Sequence, residues 1–396
     1  MPAMSTSAPA QPVDTPAVRT GRLNQALIGA PAGLQQLQTP LLAVDLPVMD
    51  RNIAKMARLA SAAGVQLRPH AKTHKCSAIA RRQLAAGAIG ICTATVGEAE
   101  AMVAAGITNI LITSPAIGPG KAERVVALQR IAPELMVVVD AAPNLAQLAA
   151  LAAAAGQTVP VMVGLDIGSH REGARTVEDA VALVASVDAA SHLSLAGLFA
   201  YAGHVQHIDD YAQRSAAMAT INERLQRWKQ ALGPERATSI VLSGGGTGSA
   251  LIDANGGLYT ELQVGSYMFM DGEYGAIETE ADGKDAFEQS LWVLTRVIGV
   301  NHEGFVTTDA GIKRFSMGSV DPVVFRGAPA GSTYAFQGDE HGMIRLPEGA
   351  SPPSLGALVW VRPPHCDPTV NLYDDLHVLD GDRLVDIWAI EGRGVV

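Results

Sequence analysis

A short apolar run meets a cluster of basic side chains in the segment VQLRPHAKTHKC (65–76). The run has the character of a buried strand, and an arginine, two lysines and two histidines follow it closely. A buried strand end cannot leave both Lys72 and Lys75 as ordinary surface lysines, so we predict a chemical role for one of them. The alternative is a barrel lysine that pairs with a carboxylate.

The chain around this segment repeats a strand and a helix. Alanine-rich stretches have apolar residues at three- and four-residue spacing and often end at a glycine, as at Gly64, Gly87 and Gly106. Near-continuous apolar strands separated by helices favour a parallel (β/α)8 TIM-type barrel over a doubly wound sheet. Nine runs fit the strand pattern, one more than a barrel needs: 41–46, 65–69, 89–95, 109–114, 134–140, 159–168, 195–203, 239–245 and 261–271.

The pattern changes after about residue 280. Apolar strands are joined there by Gly, Pro and Asp turns, and helical stretches are missing from the sequence pattern. The Asp380-Gly381 pair between two apolar runs is typical of a hairpin turn. We therefore predict a C-terminal antiparallel β domain.

Composition limits the partners of the protein. Its 396 residues are 48% hydrophobic and 17% charged, with a formal net charge of -10 and a pI near 5.5. Without a basic block, the sequence excludes nucleic acid and an anionic membrane surface as partners and favours a small molecule.

Cysteine usage and the ends of the chain point to the cytoplasm. The three cysteines are an odd number without a CxxC pair, which favours a reducing compartment. The sequence has no apolar run of about 18 residues and no signal-peptide pattern near its start. We expect residues 1–38 to form a flexible tail.

Candidate site residues follow the predicted strands, where a barrel has its active site. The glycine-rich SGGGTGS (243–249) could bind an anion through backbone N–H groups, with a hydroxyl from Ser243 or Thr247; a tight turn is the alternative. The segment GSY (265–267) follows the next strand, and barrels usually hold phosphate in this region. A phosphate site and a lysine at one barrel mouth predict pyridoxal 5′-phosphate, held as a Schiff base.

A metal site is predicted in PPHCDPT (363–369). In an extended strand end, His365 and Asp367 point to one side and Cys366 to the other. Histidine with a carboxylate suits Mn²⁺, with Mg²⁺, Co²⁺ or Zn²⁺ as further candidates. A His-x-Asp pair in an ordinary turn is the alternative.

Six motifs together resemble the D-threonine aldolase and D-serine dehydratase branch of the fold-type III pyridoxal-phosphate enzymes, the alanine-racemase-like barrels. They occur in order between about residues 39 and 393: RPHAKTHK, GLDIGSHREG, FAYAGHVQH, SGGGTGS, YTELQVGSYMFMD and PPHCDPTVNLYD. The resemblance implies that Lys72 forms the Schiff base, that Arg171 faces the pyridine nitrogen and that Tyr201 lies near the cofactor. It also implies that His207 belongs to the aldolase site. The remaining expected cofactor-binding residues are Ser243, Gly245, Gly246, Thr247, Gly265, Ser266 and Tyr267.

The same resemblance divides the chain. Residues 47–280 are expected to form the cofactor-binding barrel, and residues 39–46 and 281–396 the β domain with the metal site. The run at 41–46 then belongs to the β domain, which leaves eight strands for the barrel. In the family the β domain packs near the barrel of a partner, so a homodimer is expected.

The expected activity is cleavage of a β-hydroxy-D-amino acid to glycine and an aldehyde. In the family that the chain resembles, a His-x-Asp pair is found in the aldolases and a His-x-Cys pair in the D-serine dehydratases. The alternatives are dehydration of D-serine or 3-hydroxy-D-aspartate, aldol cleavage of 3-hydroxy-D-aspartate, and a non-catalytic pyridoxal-phosphate carrier.

Overall fold

The structure is a computed structural model that describes residues 20–31, 33–280 and 287–396. Residues 1–19 and 32 of the predicted tail, and residues 281–286 of the predicted β domain, lie outside the described residues.

Helices and strands alternate in the first two thirds of the chain, and strands dominate the last third. The α-helices are α1 (Thr20–Asn24), α2 (Leu46–Ala63), α3 (Ser77–Ala85), α4 (Val96–Ala104), α5 (Lys121–Gln129), α6 (Ala142–Ala155), α7 (Val177–Ala189), α8 (Tyr211–Ala231), α9 (Pro234–Ser239), α10 (Ala250–Asn255) and α11 (Cys366–Val370). The strands are β1 (Leu41–Asp45), β2 (Gln66–Leu67), β3 (Ile91–Thr93), β4 (Ile110–Ile112), β5 (Met136–Val139), β6 (Val159–Gly164), β7 (Leu193–Ala200), β8 (Leu242–Gly244), β9 (Glu261–Leu262), β10 (Leu291–His302), β11 (Phe305–Thr308), β12 (Val323–Arg326), β13 (Thr333–Phe336), β14 (Gly342–Arg345), β15 (Leu358–Arg362), β16 (Asp375–Asp380) and β17 (Arg383–Ala389). Among the described helices, none combines the length and the apolar character needed to cross a bilayer.

The predicted barrel is confirmed. Eight parallel strands run in the order β2-β9-β8-β7-β6-β5-β4-β3. Backbone hydrogen bonds next to β2 and β3 close the sheet: Ala71 N–H donates to Cys92 O at 2.7 Å, and Cys92 N–H donates to Pro69 O at 2.8 Å. The carboxyl ends of all eight strands therefore meet at one mouth.

The first crossover helix shows how the sequence pattern produces the fold. The Asp45 side chain accepts the N–H of Val48 and caps α2, and Gly64 ends the helix with a φ of 71°. Between these ends, Met49, Ile53, Met56 and Ala60 form one buried face. The glycine that punctuates the sequence is thus a helix stop, as predicted.

The β domain contains a nine-stranded, mostly antiparallel sheet in which the first strand of the chain takes part. Strand β1 lies between β10, with which it is antiparallel, and β16, with which it is parallel. This confirms that the run at 41–46 belongs outside the barrel. The predicted hairpin at Asp380-Gly381 joins β16 to β17, and Gly381 has the positive φ of 58° that such a turn requires.

The prediction of a flexible tail is wrong for its described part. Leu34 and Leu37 are almost fully buried and pack in one cluster with Leu41 of β1. The Asn24 side chain is also buried, and its Nδ2 lies 2.9 Å from His377 Nε2. The segment before β1 therefore covers the β-domain sheet instead of extending into solvent.

Candidate active site

A cavity of about 410 Å³ opens at the carboxyl ends of the barrel strands, where residues of the β domain cover one side. It brings together most of the predicted site residues: Lys72, Arg171, Tyr201, His207, Gly246, Thr247, Gly265, Ser266, His365 and Asp367. Ser243, Gly245 and Tyr267 are buried nearby but do not line it. The Ser243 hydroxyl accepts a hydrogen bond from Gln263, and the Tyr267 hydroxyl accepts one from Gln83.

Lys72 lies in the turn after β2 and extends toward the β domain. Its Nζ is 3.7 Å from Asp367 Oδ2, so the two domains meet across this pair. Burial lowers the pKa of Lys72, but Asp367 and Tyr201 raise it by more, and the net pKa lies above its ordinary value. Buried His70 supports the turn, since its Nδ1 accepts the backbone N–H of Lys72 at 3.3 Å.

Lys75 has a different partner. Its Nζ forms a short ion pair with Glu98, a buried residue in the first turn of α4. The second carboxylate oxygen of Glu98 accepts the backbone N–H of Ala94 at 2.7 Å. Of the two lysines that the sequence singles out, only Lys72 therefore reaches the cavity.

Arg171 lies on the loop after β6, which is organised by one carboxylate. Asp166 Oδ1 accepts the backbone N–H groups of Gly168 at 2.9 Å and His170 at 3.0 Å. Burial raises the pKa of Asp166, but these hydrogen bonds lower it by more. Glu172 binds the Arg171 guanidinium through two hydrogen bonds of 2.6 and 2.5 Å, and both side chains line the cavity.

His207 lies at the exposed rim of the cavity and forms an aromatic group with two other rings. Its ring centroid is 4.8 Å from that of Tyr274 and 6.1 Å from that of His365. Partial burial of the ring lowers the pKa of His207. The charge of Glu273 raises this pKa and that of His365 lowers it further, and the net pKa lies below its ordinary value. A neutral imidazole at this position can accept a proton.

Backbone groups in the loops after β8 and β9 fit an anion. Within the described residues, the N–H groups of Gly246, Thr247, Gly265 and Ser266 have no protein acceptor. The buried Thr73 hydroxyl also lacks a partner there, and a Cβ on Gly265 would come within 2.5 Å of its oxygen. The unpaired N–H groups of these two loops and the Thr73 hydroxyl can therefore bind a phosphate.

The β-domain side of the cavity fits a divalent metal ion. His365 and Asp367 both line the cavity, and His365 Nδ1 lies 2.9 Å from Asp271 Oδ2. Glu273 approaches the same nitrogen at 3.7 Å. Burial lowers the pKa of His365, but Asp271 and Asp367 raise it by more. A histidine whose Nδ1 is held by a carboxylate and whose Nε2 is left for a metal is the usual arrangement in metal sites.

The predicted extended conformation is wrong for residues 366 and 367, although His365 itself is extended. His365 precedes α11, which begins at Cys366 and is held by a hydrogen bond from the Thr369 hydroxyl to His365 O at 2.7 Å. As a result, Cys366 Sγ lies 3.3 Å from Asp367 Oδ1 instead of on the opposite side. The thiol is nevertheless fully buried and does not line the cavity. Asp271, His365 and Cys366 also have ligand atoms within 4.8 Å of one another, which makes them a second candidate ligand set.

Sequence reasoning missed several residues of the site, among them Thr73 and four residues close to the predicted ones. Asp271, Glu273 and Tyr274 follow the last barrel strand in the stretch DGEYG (271–275), and Glu172 is next to Arg171. Acidic residues at the carboxyl end of a barrel strand were the signal that could have identified the first two.

Two family models match the chain. The model of the alanine racemase N-terminal domain matches residues 44–273, and that of the putative serine dehydratase domain matches residues 290–379. The first match covers more than half of the chain, and the second covers most of the β domain.

Individual relatives align along nearly the whole chain. It is 42% identical to a D-threonine aldolase of Arthrobacter sp. over 361 residues, covering 91% of this chain and 94% of the relative. It is 34% identical to a 3-hydroxy-D-aspartate aldolase of Paracoccus denitrificans, covering 91% and 93%. The crystal structure of D-threonine aldolase from Filomicrobium marinum superposes with a TM-score of 0.84 at 37% identity, covering 92% of this chain and 97% of that one.

Proposed function

Since the chain belongs to the alanine-racemase-like, fold-type III pyridoxal-phosphate enzymes, we propose that it cleaves β-hydroxy-D-amino acids of the D-threonine type to glycine and an aldehyde. It is a carbon–carbon lyase, as its likeness to aldolases over nine tenths of its length supports. The observation that carries the proposal is the 3.7 Å separation of Lys72 Nζ and Asp367 Oδ2, which joins the cofactor lysine and the proposed metal residues in one cavity.

The cofactor fits the barrel side of this cavity. Lys72 would hold its aldehyde carbon, and the free N–H groups of Gly246, Thr247, Gly265 and Ser266 would hold its phosphate. Ser243, Gly245 and Tyr267 remain predicted contributors through the same loops. Tyr267 N–H donates to Thr247 Oγ1 at 3.1 Å and thereby joins the two loops.

Arg171 is proposed to face the pyridine nitrogen. A guanidinium does not give up its proton, so a ring nitrogen paired with it stays largely unprotonated. Glu172 leaves the Nη1 group of Arg171 available, because its two hydrogen bonds use Nε and Nη2. Tyr201 lies beside Lys72, whose Nζ is 5.8 Å from its ring centroid.

The metal would be held by His365 and Asp367, and we propose Mn²⁺, with Mg²⁺, Co²⁺ and Zn²⁺ as competitors. Asp271 is proposed to orient His365 and not to bind the metal, because its Oδ2 already accepts from His365 Nδ1 and from the Cys366 N–H at 2.8 Å. Burial raises the pKa of the Cys366 thiol well above its ordinary value, with Asp271 and Asp367 acting in the same sense.

The proposed groups act on the two carbons of one substrate bond. When bound, pyridoxal phosphate would accept electrons from the α-carbon of the substrate, and a divalent ion would act as a Lewis acid toward the β-hydroxyl oxygen. His207, at the rim beside His365, removes the proton of the β-hydroxyl, and the Cα–Cβ bond then breaks. The aldehyde leaves, and a proton returned to the α-carbon gives glycine.

A dehydratase would use the same residues in a different order. Lys72 would remove the α-proton, the β-hydroxyl would leave, and the products would be ammonia and a keto acid. The carboxylate of Asp367 at the cavity, with the Cys366 thiol outside it, favours the aldolase.

Two further properties are proposals. The resemblance supports a homodimer, and three buried cysteines without disulfides support the cytoplasm.

The proposed function is tested by supplying D- and L-threonine to protein reconstituted with pyridoxal phosphate and Mn²⁺. We expect glycine from the D-enantiomer only, loss of activity with EDTA, and its return with Mn²⁺. Glycine from L-threonine alone would contradict the proposal.

A further inference from the structure

The glycine-rich loop (243–249) is interlocked with the loop that follows β7. A Cβ on Gly246 would come within 2.5 Å of Gln206 Oε1, and a Cβ on Gly248 would overlap Gln206 O. Both glycines therefore allow close approach of a neighbouring segment. Because Gln206 immediately precedes His207, this contact connects the anion-binding side of the cavity to the proposed base.

Three buried polar side chains hold the interlock together. Gln206 Nε2 donates to Ser249 Oγ at 2.8 Å, and Ser249 N–H donates to Gln206 Oε1 at 3.2 Å. The Ser249 hydroxyl donates to Asp253 Oδ2 at 2.5 Å. None of these three lines the cavity, so they reach a ligand only through the loop that they hold.

Asp253 is the unusual member of this group. It is fully buried on the short helix α10, and burial raises its pKa to about 7. Its Oδ1 has no partner among the described residues. A buried carboxyl group that makes one short hydrogen bond costs stability. Because Asp253 lies behind the glycine-rich loop and binds its last residue, Ser249, we attribute this cost to holding the loop in place.

We propose that Gln206, Ser249 and Asp253 are positioning residues for the cofactor phosphate. They fix the backbone of the glycine-rich loop so that the N–H groups of Gly246 and Thr247 converge on one anion. The inference rests on the proposed function for the location of the phosphate. It predicts that the network contributes to phosphate binding specifically, and not to binding of the pyridine ring or the aldehyde.

The experiment compares two ligands on cofactor-free protein: pyridoxal phosphate and pyridoxal, which lacks the phosphate. Dissociation constants are obtained by absorbance titration, and their ratio isolates the phosphate contribution. We expect Ser249→Ala to reduce the preference for pyridoxal phosphate about tenfold, because two buried hydrogen bonds to the loop are lost. Pyridoxal should bind with unchanged affinity. Asp253→Asn should keep the ratio within about threefold, since its amide oxygen still accepts the Ser249 hydroxyl.

The matched control is Thr308→Val, which also removes a buried hydroxyl with a hydrogen-bond partner, Tyr334 Oη at 3.1 Å, but lies in the β domain. It should leave the ratio unchanged. If Ser249→Ala does not fold, Gln206→Leu provides the same comparison. An unchanged ratio in Ser249→Ala, or in Gln206→Leu where that variant replaces it, would overturn the inference, and so would an equal loss of affinity for both ligands. If the wild-type protein itself shows no preference for the phosphorylated ligand, the proposed phosphate location fails instead.

Discussion

His365 and Asp271 are joined by a hydrogen bond of 2.9 Å between Nδ1 and Oδ2 at the edge of the cavity. The same oxygen accepts the backbone N–H of Cys366, so it is an acceptor and His365 Nδ1 is the donor. The lone pair of a neutral ring is then on Nε2. Asp271 therefore fixes both the tautomer and the orientation of the proposed metal ligand.

Asp271→Asn should weaken metal binding by 10- to 100-fold, which is typical when a carboxylate that orients a ligating histidine is lost. Calorimetric titration of metal-free protein with Mn²⁺ measures this. Affinity for pyridoxal phosphate should be unchanged. Glu273→Gln is the matched control, because Glu273 is 3.7 Å from the same nitrogen and should have a smaller effect. Equal metal affinity in Asp271→Asn and wild type would contradict the role.

The ligand set is tested by three alanine variants at consecutive positions. His365→Ala and Asp367→Ala should each abolish Mn²⁺ binding and activity, while Cys366→Ala should retain both because the thiol does not line the cavity. Metal content after dialysis and turnover of D-threonine are the measurements. Loss of metal in Cys366→Ala together with its retention in Asp367→Ala would identify a His–Cys site of the dehydratase kind.

Lys72 should carry the cofactor. Borohydride reduction followed by peptide mapping is expected to place the cofactor on Lys72, and Lys72→Ala should be colourless. Lys75→Arg is the control and should remain yellow, because the Lys75 side chain pairs with Glu98 away from the cavity. A label on Lys75 would show that the assignment is wrong.

Asp253 should make the stability of the protein depend on pH. Its folded pKa is about 7, above its ordinary value of 3.8, so the folded state keeps a proton that the unfolded state loses. Stability therefore falls as the pH rises from about 4 to 7. Asp253→Asn has no carboxyl group to titrate at this position. The difference between its unfolding free energy and that of wild type should therefore increase in favour of the variant as the pH rises from about 4 to 7, by ~4 kcal/mol at most. Denaturant titrations at several pH values measure the difference, and parallel curves would refute it.

The barrel and the barrel side of the site followed from local sequence patterns. Helix stops such as Gly64 and strand ends such as the one before Lys72 are determined by neighbouring residues. The carboxyl ends of parallel strands must meet, so residues far apart in sequence could be placed together. The family resemblance then removed the ninth strand from the barrel, separated Lys72 from Lys75, and supplied the expected roles of Arg171 and Tyr201.

The errors arose where tertiary contacts decide the structure. Residues 366–370 form a helix because Thr369, Asp271 and Ser316 take the polar groups at its start, which the spacing of His365 and Asp367 does not reveal. The sequence around Leu34 and Leu37 has no periodic pattern of apolar residues. The two side chains are buried because they pack on a face of the β-domain sheet. Asp271 ends the motif YTELQVGSYMFMD, but the sequence offered no chemical reason to assign it a role, because its partner His365 is 94 residues away.

The most direct test of the central claim is the identity of the products from D-threonine with pyridoxal phosphate and Mn²⁺ bound. Amino-acid analysis and aldehyde and keto-acid assays on the same reaction measure all candidates together. Aldol cleavage predicts glycine and acetaldehyde in equal amounts and no ammonia. Ammonia and 2-oxobutanoate in equal amounts, without glycine, would contradict the account and show that the enzyme is a dehydratase.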